Sequence, residues 1–357
     1  MFWFIVLLVV LLLFTFFVLR GENLSYLDQP LPSHPSRPPS KPMQEVLGIL
    51  KGFTESPVGR GRGRIRAIRQ FMDGMAGDRS YESEFVAVQT PDLRGEWVLA
   101  PEHDPRRRIL YIHGGAFVAG SPLSHRPLTD RLARLTGAAV FSLDYRLMPE
   151  HRRMAGIEDC RRAYRWLLEN GPEGASSTEW LVVAGDSAGG NLTLSLIAWV
   201  RDQGLRQADA ALAFSPATDG VLDAPSLRSN IASDPMLGPA FGALTRVPTV
   251  VLLWFNWFSA RIMPSDPRVS PLRGPLHELP PILVQASDSE MLLDDARRYV
   301  AKAQAADSPA VLQTWPDMVH VWQMFTPQLP EAEEAFQNIA EFLDGVATPQ
   351  NEAESAS

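Results

Sequence analysis

Ser187 stands in Gly185-Asp186-Ser187-Ala188-Gly189-Gly190, where small residues at 185, 188 and 189 permit a turn sharp enough to present a hydroxyl in a strained conformation. A serine hydroxyl becomes a nucleophile when a base takes its proton and an acid orients that base. Elbows of this type take both partners downstream, in the order serine, acid, histidine. Of the seven histidines, His34, His103, His113, His125 and His151 precede Ser187, and His277 would precede its acid. His320 is left as the base, in the loop Trp315-Pro316-Asp317-Met318-Val319-His320-Val321-Trp322. For the acid, the stretch from Gln285 to Asp295 offers Asp288, Glu290, Asp294 and Asp295. The last two start a helix, where a carboxylate favours the N-terminus, so Asp288 or Glu290 is better able to reach His320.

Attack on a carbonyl also needs N–H groups aimed at the developing oxyanion. Ala188, the residue after the nucleophile, supplies one. The other source is His113-Gly114-Gly115-Ala116-Phe117, where two glycines let the backbone approach closely.

These residues need a scaffold. Trp180–Ala184 reads as a buried strand and Asn191–Arg201 as a helix, so the elbow sits at a strand-to-helix turn. Strands are expected at 84–89, 95–100, 108–112, 139–144, 180–185, 209–214, 281–286 and 310–314, with helices near 124–136, 156–169, 190–202, 294–306 and 331–344. This alternation predicts an α/β fold: a mostly parallel eight-stranded sheet flanked by helices on both faces. Two amphipathic stretches, 43–53 and 65–75, precede the first strand, and 219–266 breaks the alternation. The apolar run Val250–Phe258 is too short to span a membrane; a helix packed on the core and a lid lining an apolar pocket are its two readings.

The motifs together resemble the hormone-sensitive-lipase family of α/β-hydrolases from about residue 85 to 345. The resemblance rests on His113-Gly114-Gly115, on Asp144-Tyr145-Arg146-Leu147-Met148-Pro149-Glu150-His151, on Gly185 to Gly190, on Asp266-Pro267-Arg268-Val269-Ser270-Pro271-Leu272 and on Asp317-Met318-Val319-His320. It implies an α/β-hydrolase fold, carboxylester hydrolysis, Ser187 as nucleophile, His320 as base, and an oxyanion hole from the N–H groups of Gly114, Gly115 and Ala188. It also implies a helical cap from residues 43–80 and 219–266. Two positions depart from the family pattern. Ala116 replaces the usual third glycine, at little expected cost if the first two form the hole. The family's acid motif aligns with Glu290-Met291-Leu292-Leu293-Asp294-Asp295, which puts Glu290, ahead of Asp288 and Asp294, at the catalytic position.

The remainder of the chain bounds where this chemistry happens. Met1–Leu19 is apolar apart from Thr15, long enough as a helix to cross a bilayer, and lacks the leading basic residue and small-residue cleavage site of a signal peptide. It reads as an uncleaved single-pass anchor, or an uncleaved signal (residues 1–20). A Pro-rich linker (21–42), the hydrolase domain (43–345) and a disordered tail (346–357) follow. Residues 20–70 hold nine Lys/Arg against four Asp/Glu, and the positive-inside rule then puts the catalytic domain in the cytoplasm. With a net charge of −8 overall, the rest of the chain is acidic, which argues against nucleic acid as a partner. A lone cysteine, Cys160, excludes an intramolecular disulfide and a thiolate metal cluster. No metal or cofactor is expected, because no zinc-protease, Walker or dinucleotide motif is present. The expected substrate is a small hydrophobic ester of short to medium chain. An amide deacetylase resembling arylacetamide deacetylase is the nearer alternative, and a non-enzymatic ligand-binding protein on the same scaffold the distant one.

Overall fold

The computed structural model describes residues 1–30, 38–55, 62–77 and 79–347. Eight strands, β1 (Glu84–Gln89), β2 (Arg94–Leu99), β3 (Asp104–Ile112), β4 (Ala138–Leu143), β5 (Trp180–Asp186), β6 (Ala210–Phe214), β7 (Ile282–Ser287) and β8 (Ala310–Trp315), form one sheet in the order β1-β2-β4-β3-β5-β6-β7-β8. Only the β1–β2 and β2–β4 pairs are antiparallel. The parallel pairs from β4 through β8 put the carboxyl ends of β3, β5, β6, β7 and β8 on one edge. That edge is where open α/β sheets bind ligands.

Side chains alternate across each strand and so divide the core in two. Leu110, Ile112, Val183, Ala213 and Val284 face one layer, built with α5 (Arg153–Glu169), α6 (Ala188–Asp202) and α10 (Leu293–Ala305). Ile109, Tyr111, Val182, Leu212 and Leu283 face the other, built with α4 (Arg126–Thr136) and α11 (Pro330–Ala347). Burial on both sides explains why these strands are apolar runs without polar alternation. Cys160 is buried in the first layer.

Ahead of the sheet lie α1 (Phe2–Phe14), which continues as a π-helical turn over Thr15–Leu19, then α2 (Lys41–Glu55) and α3 (Arg62–Ala76). Met43, Val46 and Leu50 of α2 join the second core layer. Between β6 and β7 the chain forms α7 (Ser226–Ser229), α8 (Leu237–Phe241) and α9 (Thr249–Ala260). The expected linker is shorter than 21–42. Leu24 is fully buried in the first layer, Arg298 Nη2 pairs with Asp28 Oδ1 at 2.6 Å, and Pro42 already lies in α2. Burial of Leu24 and the ion pair hold residues 24–28 against the domain, where an extended, semi-rigid linker was expected. The rest of that spacer, residues 31–37, lies outside the described residues, as do Arg60, Gly61 and nearly all of the predicted tail.

Candidate active site

Ser187 sits between β5 and α6 with φ 51° and ψ −113°, a left-handed backbone that only tight surroundings keep in place. Those surroundings are glycines. A Cβ on Gly185 would lie 2.6 Å from Gly189 O, and one on Gly189 would lie 1.9 Å from Ile112 O at the end of β3. Helix α6 therefore starts directly against the sheet edge, and the serine is forced to the outside of the turn.

His320 arrives from the loop after β8. Ser287 Oγ, at the end of β7, donates to Met318 O at 2.7 Å, and Val321 N donates to Ser215 Oγ at 3.2 Å. Held by these two hydroxyls, His320 Nε2 stands 2.9 Å from Ser187 Oγ and Nδ1 stands 2.7 Å from Glu290 Oε2. Glu290 is fully buried, and its other oxygen accepts Ser287 N at 3.0 Å. The three residues, brought from three strand ends, thus form one hydrogen-bonded chain. Burial pulls the His320 pKa down, but the hydrogen bond and charge of Glu290 outweigh it, and the imidazole is held above its ordinary value of 6.5.

The other acidic candidates lie elsewhere. Asp294 Oδ2 accepts Ser226 N at 2.8 Å, and Asp295 Oδ2 accepts Thr218 N at 2.7 Å and Asp219 N at 3.1 Å. Both sit in the first turn of α10, yet their work is to tie down the segment that follows β6. Asp288 contributes its backbone: its carbonyl accepts Asn230 Nδ2 at 3.0 Å, and the same amide reaches Glu290 O at 2.9 Å. Asp234 Oδ2 accepts Met291 N at 2.9 Å. Asn230 and Asp234 therefore brace the acid loop, and nothing in the sequence marks them for that role.

The expectation for Gly114 changes. Its N–H donates to Asp186 Oδ1 at 3.0 Å, and a Cβ at 114 would fall 2.1 Å from the same carboxylate, so this N–H is already spent. Asp186 also accepts Tyr111 OH at 2.7 Å and lies 3.3 Å from His125 Nε2. Burial works to raise the Asp186 pKa, but His125 and Tyr111 overcome it and keep the carboxyl below its ordinary value. His125, set aside as a base, is thus a structural partner of the motif's own aspartate. The next N–H groups, of Gly115 (φ 111°) and Ala116 (φ 53°), have no acceptor among the described residues. Ala188, first residue of α6, has no intrahelical acceptor for its N–H either. From behind, Arg69 of α3 donates Nε to Val118 O at 2.7 Å and Nη2 to Met148 O at 3.1 Å, which fixes the turn from outside.

His113 is buried beneath this turn, stacked on Tyr145 at 4.3 Å, and burial lowers its pKa to about 3. It is a neutral structural ring. Among the described residues no group of three or more His, Cys, Asp or Glu could hold a metal ion.

Comparison with known proteins decides the family. Residues 109–324 match the model of an α/β-hydrolase-fold family. A solved esterase of the bacterial hormone-sensitive lipase family superposes with a TM-score of 0.74 at 33% identity, covering 86% of this chain and 98% of that one. The chain belongs to the hormone-sensitive-lipase family of α/β-hydrolases. An acetyl-hydrolase of Streptomyces hygroscopicus is 38% identical over 249 residues, 70% of this chain and 78% of its own length. A carboxylesterase/phospholipase of Mycobacterium tuberculosis, LipF, is 36% identical over 267 residues, 72% of this chain and 68% of its own. This member of the family is accordingly a carboxylester hydrolase, and the reading as a non-enzymatic binding protein falls away.

Proposed function

We propose that Ser187, His320 and Glu290 are the nucleophile, general base and orienting acid of this esterase, and that its substrates are apolar esters of short to medium chain. The observation that carries the reading is the chain Ser187 Oγ, His320, Glu290, with links of 2.9 and 2.7 Å. His320 Nε2 takes the hydroxyl proton as Ser187 Oγ attacks the ester carbonyl carbon. Glu290 fixes the tautomer that keeps Nε2 unprotonated and stabilises the imidazolium that forms. The tetrahedral oxyanion is received by the N–H groups of Gly115, Ala116 and Ala188, with Gly114 holding the turn through Asp186. Collapse expels the alcohol with the proton from His320. Water, activated by the same ring, then frees the acyl group from Ser187.

Helices α2 and α3 and the segment from 219 to 266 form the cap over this site. Phe2–Leu19, a helix of 18 residues with mean hydropathy 3.1, is long and apolar enough to cross a membrane, and we assign it as an anchor. The basic stretch after it favours the cytoplasmic side for the catalytic domain.

Two results are expected. Full-length enzyme in detergent hydrolyses p-nitrophenyl acetate, butyrate and octanoate with higher kcat/KM than the palmitate, and Ser187→Ala abolishes all four. Preference for palmitate would make it a long-chain lipase; faster cleavage of p-nitroacetanilide than of the acetate would favour the amide reading. Because catalysis needs neutral His320, kcat/KM should fall about tenfold per pH unit on the acid side. Since the His320 pKa is raised, the midpoint of that limb should lie above 6.5. A midpoint below 6.5 would separate the imidazole from its buried carboxylate.

A further inference from the structure

We propose that the outward face of α9 is a lipid-contact surface, with Val251, Phe255 and Phe258 immersed in the acyl region of the leaflet through which the N-terminal helix enters. The inference rests on the reading of Phe2–Leu19 as a membrane span and adds a second, non-spanning contact to it.

Helix α9 has no Asp, Glu, Lys or Arg from Thr249 to Ala260. Val251, Phe255 and Phe258 stand at i, i+4 and i+7, on one face, with 53%, 69% and 55% of their surface exposed. Leu253 and Ala260, on the opposite side, are buried, as is Leu252 on the flank. Single exposed apolar residues are ordinary, but a continuous stripe of this kind marks an interaction surface.

The occupant follows from where α9 touches the anchor. The rings of Trp254 and Trp257 lie 5.8 and 5.5 Å from that of Phe14. Trp254 Nε1 donates to Thr15 Oγ1 at 2.9 Å, and Ser265 Oγ donates to Val18 O at 2.8 Å. Phe14 lies six residues before Arg20, the first charged residue after the span, which is roughly 9 Å along the helix axis at 1.5 Å per residue. That depth falls within the about 5–10 Å to which interfacial helices bury their apolar faces. The alternative of keeping α9 in water would withdraw residues 14–19 from the bilayer. What remained would be short of the about 20 residues that a span needs. Anchor and α9 therefore enter the leaflet together. Arg246 and Arg261, both exposed, flank the uncharged helix at either end, where long cationic side chains reach phosphates while their stems stay in apolar surroundings. Through Asn230 and Asp234, the same inter-strand segment also braces the Glu290 loop, so membrane contact and acid loop are joined by one stretch of chain.

The test uses the full chain in vesicles of phosphatidylcholine and phosphatidylglycerol, with a nitroxide attached at Phe255→Cys. Phe4→Cys serves as the marker for the span, and Gln203→Cys, exposed at the end of α6, as the aqueous reference. Cys160 is buried, and the unsubstituted protein gives its background. Hydrolysis of p-nitrophenyl butyrate verifies that each variant is folded. Collision with oxygen is expected to exceed collision with a water-soluble nickel chelate at positions 255 and 4, with the ratio inverted at 203. A nickel-dominated signal at 255 with an oxygen-dominated one at 4 would overturn the lipid contact and leave the anchor standing. Nickel-dominated signals at both would overturn both readings. Oxygen dominance at 255 alone would support lipid contact by α9 and remove the anchor.

Discussion

Replacing Glu290 by Gln is expected to lower kcat/KM for p-nitrophenyl butyrate about 10⁴-fold, the loss seen when a triad acid becomes an amide and the histidine adopts the wrong tautomer. The geometry supports so large an effect, because Glu290 Oε2 is the partner of His320 Nδ1 at 2.7 Å and both side chains are buried. Loss of the carboxylate also removes what raises the His320 pKa, so the acid limb of the residual activity should move to lower pH. Asp294→Asn should change kcat/KM little, since Asp294 is occupied with Ser226 N, away from His320. Near-normal turnover by Glu290→Gln would transfer the acid role to another carboxylate.

Gly189→Ala is expected to destabilise the fold by about 3 kcal/mol or more, at the upper end of what overpacking costs. The added Cβ would meet Ile112 O at 1.9 Å, His113 O at 2.6 Å and His113 C at 2.7 Å, all of them backbone atoms. No side-chain rotation relieves such a contact: either α6 backs away from β3 or the β3 end moves, and each displaces Ser187 from His320. Urea unfolding followed by circular dichroism should show a lower midpoint, together with lost esterase activity. An unchanged midpoint would mean that the helix start is free to shift.

The turn at Ser187, the placing of His320 beside it and the sheet were legible because their signals are local or ordered along the chain. A buried strand, a small-residue turn and a helix define the Ser187 context within 22 residues of sequence. Serine before acid before histidine then singles out His320 by exclusion. The acid required the resemblance, since four carboxylates lie within eight residues and spacing alone does not say which one faces the histidine. The engagement of the Gly114 N–H was hidden for a related reason. A glycine pair announces close backbone approach without saying which N–H is left open, and Gly114 spends its own on Asp186. The proposed oxyanion hole therefore gives Ala116 a larger role than its departure from the glycine pattern suggested. The roles of Asn230, Asp234 and His125 were invisible because each reaches its partner across more than fifty residues of sequence. The docking of Leu24 and Asp28 on the domain was hidden by the prolines that follow from Pro30, whose composition speaks for an extended chain.

The most direct test of the central claim is the rate and site of covalent labelling by a fluorophosphonate, read by mass spectrometry of the digested protein. A phosphonyl adduct requires a serine activated by its base. It should therefore form on Ser187 alone, disappear in Ser187→Ala, and form at least about 10³-fold more slowly in His320→Ala. An adduct on another residue, or labelling of Ser187 at an unchanged rate without His320, would contradict the proposed triad.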